Sequence, residues 1–160
     1  MIYKPRIYVE TSVISYLAAR PSPDAINATR QHFSYQLWQK RRQLDLLVSD
    51  AVLAEIQIGD DDAVANCLVY CNALALLDVH PDVEDMALHL LRKNAVPAKA
   101  FTDAVHIAIA SLHRVQFIAS WNFRHIVGAV ARKIIELALS ELLQFVPVIA
   151  TPEEIFESLK

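Results

Sequence analysis

Glycine is scarce in this chain of 160 residues, which contains two glycines and two cysteines. Phosphate-binding loops of the GxxxxGK[ST] and GxGxxG types need several glycines at fixed spacing, and neither pattern occurs. The sequence therefore offers no sign of a nucleotide-binding loop. Cys67 and Cys71 lie four residues apart in a predicted helix. This spacing places both side chains on the same face of the helix but does not favour a disulfide between them. We interpret them as small buried side chains in a reducing compartment.

An excess of positive charge is also missing, because the net charge is −3. Proteins that bind nucleic acid broadly are usually basic, so this charge argues against that class but is compatible with a small basic patch. No apolar run reaches the ~20 residues of a transmembrane helix. No charged segment precedes an apolar one at the start, as it does in a signal peptide. We therefore expect a cytoplasmic protein without a membrane partner.

Hydrophobic residues are plentiful, at 54% of the chain, and they occur in two alternating patterns. Short apolar runs at 6–9, 46–48, 74–79, 115–119 and 145–149 are typical of strands, and longer segments between them are typical of helices. Because no repeat or linker interrupts this order, we expect one domain over residues 1–160. The alternation predicts an α/β fold, with helix layers on both faces of a mostly parallel sheet of about five strands.

Several helix starts can be read directly. Thr11 or Ser12 is predicted to cap the helix after the first strand, and Asp24 the next helix. The string Thr151-Pro152-Glu153-Glu154 combines a cap, a proline at the first helical position and an acidic first turn. The second helix is richer in apolar and aromatic residues than one face needs, which predicts either an oligomer or partner surface or simply core; these residues are Phe33, Tyr35, Leu37 and Trp38.

Four polar side chains stand out because ligand sites in such folds lie at the carboxyl ends of the strands. Glu10 directly follows the first predicted strand, Glu55 lies in the helix after the second, and Asn122 follows the fourth. Asp103 opens an otherwise apolar helix, where a carboxylate is costly unless it is paired or bound to a metal. The alternatives are a solvated loop residue for Glu10, a solvent-facing helix position for Glu55 and a favourable helix-dipole contact for Asp103.

Clustered carboxylates of this kind suit Mg²⁺ and Mn²⁺, which prefer oxygen ligands and retain water. Such ions activate water and offset the charge that develops on a phosphodiester. His106 lies three residues after Asp103 on the same helix. We interpret His106 as a hydrogen-bonded histidine of the core or its rim rather than a metal ligand.

The residue strings around these acids resemble the PIN-domain family in order and over nearly the whole chain. The segment Tyr8-Val9-Glu10-Thr11-Ser12-Val13-Ile14-Ser15 resembles the opening of PIN domains, and residues 49–55 resemble their second motif. The most specific match is Val96-Pro97-Ala98-Lys99-Ala100-Phe101-Thr102-Asp103-Ala104-Val105-His106-Ile107-Ala108-Ile109-Ala110. Trp121-Asn122-Phe123-Arg124-His125-Ile126 and the string at 151–154 resemble the closing part of one subgroup.

This resemblance implies a PIN fold and a Mg²⁺- or Mn²⁺-dependent endoribonuclease, similar to VapC-like toxins that are silenced by an antitoxin and commonly form dimers. It implies that Glu10, Glu55 and Asp103 hold the metal and that Asn122 assists them. Thr11 or Ser12 would position a water or a phosphate oxygen, although helix capping explains Ser12 almost as well. Possible contacts to RNA phosphates come from three further residues, for which solvated surface charge is the simpler interpretation: Lys99, Arg124 and His125.

Two positions depart from the family pattern, since the first acid is usually Asp and the fourth position is often Asp. Here they are Glu10, which keeps the charge, and Asn122, which does not. The departures motivate an alternative function, a catalytically inactive PIN scaffold that binds RNA or protein. A phospho-acceptor signalling domain would also gather acids at strand ends. It would need a second acid beside Glu10 and a lysine after the last strand, where Thr11 and Thr151 stand instead.

Overall fold

The computed structural model describes residues 3–160, in which five strands and eight helices alternate along the chain. The strands are β1 (Arg6–Val9), β2 (Asp45–Ser49), β3 (Ala75–Leu77), β4 (Phe117–Ala119) and β5 (Val148–Ala150). The helices are α1 (Thr11–Ala18), α2 (Ala25–Gln39), α3 (Asp50–Ile56), α4 (Asp61–Cys71), α5 (Val83–Arg92), α6 (Phe101–Leu112), α7 (Ala129–Ser140) and α8 (Pro152–Ser158). Short 3-10 helices precede β2 and α6, at Lys40–Arg42 and Ala98–Ala100.

The strands form one sheet in the order β3-β2-β1-β4-β5, and all four strand pairs are parallel. The central strand is β1, in which Tyr8 pairs with Leu47 of β2 and with Ile118 of β4. The predicted α/β fold with a parallel sheet of five strands is therefore confirmed. Because all strands point the same way, the residues that follow them meet at one edge of the sheet.

The helices pack in two groups that keep the sheet buried. Helices α1, α2, α4 and α8 contact one another in pairs, and α6 and α7 both pack against α5. Helix α3 contacts both α4 and α6 at the edge of the sheet. Helix α6 is buried along most of its length, as its apolar sequence predicts.

Three strands are shorter than their apolar runs predict. The run at 74–79 contributes only Ala75–Leu77, the run at 115–119 contributes only Phe117–Ala119, and the last strand begins at Val148 rather than at residue 145. Pro147 immediately precedes that strand, and a proline has no N–H to donate to a neighbouring strand. Pairing with β4 starts after it, where Val148 N donates to Gln116 O at 2.8 Å.

The predicted cap of α1 is wrong by one residue, because Glu10 itself is the N-cap. Its backbone is extended and its side chain accepts a hydrogen bond from the backbone N–H of Ser12. Thr11 and Ser12 already belong to the helix. The other two caps are confirmed: Asp24 accepts from Asn27 N, and Thr151 forms a complete capping box with Glu154.

The apolar residues of α2 belong mainly to the core. Leu37 is buried, Phe33 and Trp38 pack against the core, and Tyr35 is half exposed. Cys67 and Cys71 are buried free thiols, as predicted. Over residues 3–160, none of the helices combines the length and apolar character needed to cross a bilayer.

Candidate active site

Two of the predicted acids meet at the carboxyl edge of the sheet. Glu10 directly follows β1, and Glu55 lies in the last turn of α3, the helix that follows β2. In the part of the chain that the structure describes, one set of metal-capable side chains has ligand atoms all within 4.8 Å of one another; it consists of Glu10, Glu55 and His106. We call these three residues the acid–histidine cluster.

Glu10 is the buried carboxylate of the cluster, with 4% of its surface exposed. Its Oε2 accepts hydrogen bonds from the hydroxyls of Ser12 and Ser120, the latter at 2.8 Å, and its Oε1 accepts from Ser12 N at 3.2 Å. Burial raises the pKa of Glu10 above the ordinary glutamate value, and His106 and the serine hydrogen bonds offset this only in part. A positive ion beside Glu10 would relieve the cost of burying its charge.

Glu55 is the more open carboxylate, with 31% of its side chain exposed. Its Oε1 accepts a hydrogen bond from Thr11 Oγ1 at 2.9 Å and another from His106 Nε2. Burial by itself would raise the pKa of Glu55, but the hydrogen bond and charge of His106, together with Thr11, lower it below the ordinary value. Glu55 is therefore held in its ionised form, which is the form that binds metal ions.

His106 is fully buried and both of its ring nitrogens are engaged. Nε2 contacts Glu55, and Nδ1 lies 2.6 Å from the hydroxyl of Tyr8. The same hydroxyl lies 2.7 Å from Ser49 Oγ at the end of β2, and burial raises the pKa of Tyr8. His106 is therefore a hydrogen-bonded buried histidine, as its apolar helix predicted.

Asp103 is paired differently, because its Oδ2 lies 2.8 Å from Nδ1 of His125. Both side chains are mostly buried, at 15% and 18% exposed. Asp103 shares α6 with His106 but is not a member of the acid–histidine cluster. The structure thus brings Glu10 and Glu55 together directly and places Asp103 in a second carboxylate–histidine pair.

Asn122 organises the loop that follows β4. Its side-chain Oδ1 accepts a hydrogen bond from His125 N at 3.0 Å, and its backbone carbonyl accepts from Ile126 N and Val127 N. Its own N–H donates to Ser120 Oγ at 3.0 Å, the hydroxyl that also contacts Glu10. The loop closes at Gly128, where any Cβ would overlap the carbonyl oxygen of Phe123.

The remaining predicted residues surround these groups. Thr11 and Ser12 donate their hydroxyls to Glu55 and Glu10, respectively. Lys99 and Arg124 are exposed, and neither forms a salt bridge within residues 3–160.

Sequence reasoning missed three residues that support the cluster. Tyr8 contacts His106, Ser49 holds the Tyr8 hydroxyl, and Ser120 donates to Glu10. The available signal was a polar group in or just after each of three apolar strands. That signal is weak, since it does not show which strand residues face the same helix.

The donor set fits a hard divalent cation. Glu10 and Glu55 supply carboxylate oxygens on a shared edge, and Glu55 Oε2 has no hydrogen-bond partner within residues 3–160. Oxygen donors of this kind are what Mg²⁺ and Mn²⁺ prefer. Glu10 and Glu55 would hold such an ion, with the Ser12, Ser120 and Thr11 hydroxyls fixing their orientation.

Comparison with known proteins agrees with this architecture. No family model matches the chain, and no curated relative was found. Among solved structures the chain is similar to Mycobacterium tuberculosis VapC20, which is described as a toxin that cleaves the sarcin-ricin loop. The match has a TM-score of 0.53 and 21% sequence identity, and it covers 74% of this chain and 92% of VapC20. The chain therefore has the fold of a VapC-type PIN domain, which confirms the fold that the motifs implied.

Proposed function

We propose that this protein is a Mg²⁺- or Mn²⁺-dependent endoribonuclease that hydrolyses RNA phosphodiester bonds, and that it acts in the cytoplasm as the toxin of a toxin–antitoxin pair. The observation that carries the proposal is the meeting of Glu10 and Glu55 at the carboxyl edge of the sheet. Similarity to VapC20, which is described as a toxin that cleaves the sarcin-ricin loop, supports the reaction class.

In this proposal Glu10, Glu55 and Asp103 hold the ion, with Asp103 acting directly or through water. When bound, a divalent ion lowers the pKa of a water molecule and offsets negative charge on the phosphodiester. Ser12 and Ser120 keep the buried Glu10 oriented, and Thr11 does the same for Glu55. Thr11 and Ser12 thus act mainly through the carboxylates they hold, which is a narrower role than contact with phosphate.

RNA would approach the edge of the sheet where the positive side chains lie. Lys99 precedes α6, and Arg124 and His125 lie in the loop after β4, where His125 contacts Asp103. Lys99 and Arg124 are exposed cations without a local carboxylate, so they are available to phosphate oxygens. We assign both to RNA phosphate contacts, and we assign His125 to the same role through its Nε2, because Asp103 holds its Nδ1.

A cleavage assay tests the proposal most directly. The parent protein is incubated with a mixed pool of structured RNAs in Mn²⁺, in Mg²⁺ and in excess chelator. We expect cleavage with either ion and none with chelator. Glu55→Gln should reduce the rate roughly 100-fold or more, beyond the 10–100-fold typical of residues that support metal ligands. Glu84→Gln, an exposed carboxylate of α5, is the matched control and should cleave like the parent.

The partners are tested separately. We propose a homodimer, and a monomer by light scattering at the concentration of the cleavage assay would count against it. For the antitoxin, the protein from an adjacent reading frame should copurify with the toxin and suppress cleavage when the two are expressed together. Cleavage that persists in such a complex would contradict the toxin–antitoxin assignment.

The alternative is a catalytically inactive PIN scaffold that binds RNA or protein. Asn122 favours it, because its side-chain oxygen is already used within its own loop and brings no charge to the site. This alternative predicts RNA binding without turnover at any divalent ion concentration.

A further inference from the structure

The carboxylate of Glu55 is held asymmetrically. Both of its hydrogen-bond donors, Thr11 Oγ1 and His106 Nε2, reach the same oxygen, Oε1. The other oxygen, Oε2, has no partner among residues 3–160. A carboxylate fixed through one oxygen presents the other in a defined direction, which is the arrangement expected of an oriented metal ligand.

The proton on His106 follows from its neighbours. Nε2 faces a carboxylate oxygen, which can only accept, so Nε2 carries the hydrogen. On the other side of the ring, Nδ1 lies 2.6 Å from the Tyr8 hydroxyl, with which it forms a hydrogen bond. That hydroxyl is also hydrogen-bonded to Ser49 Oγ at 2.7 Å. Tyr8 and Ser49 therefore hold the ring in the orientation that directs its Nε2–H at Glu55.

We propose that His106 is a positioning residue, which fixes Glu55 for metal binding through its Nε2–H and is not itself a ligand. The inference rests on the metal site of the proposed function. Direct ligation through Nε2 would remove the hydrogen that Glu55 accepts, and it would give a nitrogen donor to a site whose other donors are carboxylate oxygens. Mg²⁺ and Mn²⁺ favour the oxygen arrangement.

Calorimetric titration with Mn²⁺ alone tests this role without RNA. His106→Leu keeps the bulk of the side chain but not the donor, and it should weaken Mn²⁺ binding about 10- to 100-fold. His106→Gln places an amide N–H near the position of Nε2 and should recover most of the affinity. Tyr8→Phe removes the hydroxyl that orients the His106 ring and should weaken Mn²⁺ binding by a smaller factor.

A second buried histidine provides the matched control. His89 in α5 is 9% exposed and its Nε2 contacts Ala138 O at 2.8 Å, outside the acid–histidine cluster. His89→Leu therefore also removes a buried hydrogen bond. It should lower stability against urea while leaving Mn²⁺ affinity at the parent value. Equal losses of affinity in His89→Leu and His106→Leu would reduce the effect to general destabilisation and overturn the inference.

Pulsed electron spin resonance of the Mn²⁺-loaded parent gives a direct readout that does not depend on whether a variant folds. The positioning role predicts no nitrogen nucleus coupled to the ion at the strength of a direct bond. Coupling of that strength that persists in His125→Leu would make His106 a ligand and overturn the inference. The calorimetric titration distinguishes failure of the proposed metal site from failure of the positioning role. If the parent does not bind Mn²⁺, the proposed metal site is wrong and this inference falls with it. If the parent and His106→Leu bind Mn²⁺ equally, only the positioning role is wrong.

Discussion

Two histidine–carboxylate pairs border the candidate site, and they differ in how completely they are satisfied. His106 is fully buried, and both ring nitrogens are engaged, by Glu55 and by Tyr8. His125 is 18% exposed, and its Nδ1 contacts Asp103, while its Nε2 has no hydrogen-bond partner within residues 3–160. Asp103 lies one helical turn before His106 on α6, so one helix contributes to both pairs.

This difference in burial and bonding gives His106 a structural role and leaves His125 able to contact a substrate. A buried histidine whose two nitrogens are fixed can transmit orientation but has no free atom to offer a substrate. A partly exposed histidine held at one nitrogen keeps the other available for a phosphate oxygen. We therefore expect His106 to govern stability and metal affinity and His125 to govern RNA binding, while Asp103, the partner of His125, serves the metal.

The largest expected effect comes from Asp103→Asn, compared with His125→Leu. If the charge of Asp103 serves the metal, neutralising it should slow cleavage about 1,000-fold, the upper range for losing one electrostatic contact at a reacting centre. That factor corresponds to about 4 kcal/mol. His125→Leu should cost about tenfold or less, mainly in RNA affinity. Single-turnover cleavage at saturating Mn²⁺ measures both. Equal losses would mean that Asp103 matters only as the partner of His125.

The second-largest expected effect is on the stability of the protein, which should fall by different amounts when each histidine is removed. His106→Leu leaves Tyr8 and Glu55 without their buried partner and should lower the free energy of unfolding by about 3 kcal/mol. His125→Leu should lower it by less than about 1 kcal/mol, because water can replace the lost contact. Urea unfolding followed by circular dichroism compares them. A larger loss for His125→Leu would break the distinction between the two pairs.

The contribution of Glu10 to protein stability should depend on both metal and pH. At an ion concentration 100 times the Kd, Mn²⁺ should stabilise the parent by about 2.7 kcal/mol and leave Glu10→Gln unchanged. Because burial raises the folded-state pKa of Glu10, its contribution to stability without metal is full below the unfolded-state pKa and is lost as pH rises through the folded-state pKa. Thermal melts between mild acid and neutral pH should therefore show a flatter slope for Glu10→Gln. Stabilisation of that variant by Mn²⁺ would exclude Glu10 as a ligand.

The smallest effect is expected at Glu154, a carboxylate away from both pairs. Burial would raise its pKa, but the hydrogen bond from Thr151 N and the ion pair with Arg132 hold the pKa below the ordinary value. Its contribution is present above the unfolded-state pKa and is lost as pH falls through the folded-state pKa. Since 48% of the side chain is exposed, Glu154→Gln should cost less than about 1 kcal/mol. The Mn²⁺ affinity of Glu154→Gln should equal that of the parent. A weaker affinity would show that metal binding depends on the overall stability of the protein.

The sequence predicted the parts of the molecule that depend on local signals. The alternation of apolar runs predicted the parallel sheet, and the capping box at Thr151 is complete because its partner lies three residues away. The position of Glu10 and Glu55 after neighbouring strands was enough to predict that they meet. Strand lengths were less predictable; β5, for example, pairs with β4 only from Val148 onward, because the preceding Pro147 has no N–H to donate.

Contacts between distant elements could not be predicted in the same way. Tyr8 lies in an apolar strand and gives no local sign that its hydroxyl reaches His106, which lies 98 residues away. The pairing of Asp103 with His125 depends on a loop whose shape is determined by Asn122. Sequence reasoning treated Asp103 and Asn122 as members of one polar set, whereas the structure pairs Asp103 with His125 and gives Asn122 a role within its own loop.

Calorimetric titration of Mn²⁺ into the parent protein, beside Glu55→Gln, tests the central claim most directly. The account predicts saturable binding by the parent that is lost in the variant, with both proteins folded by circular dichroism. Saturable binding of equal affinity by both proteins would contradict it, because the ion would then lie somewhere other than between Glu10 and Glu55.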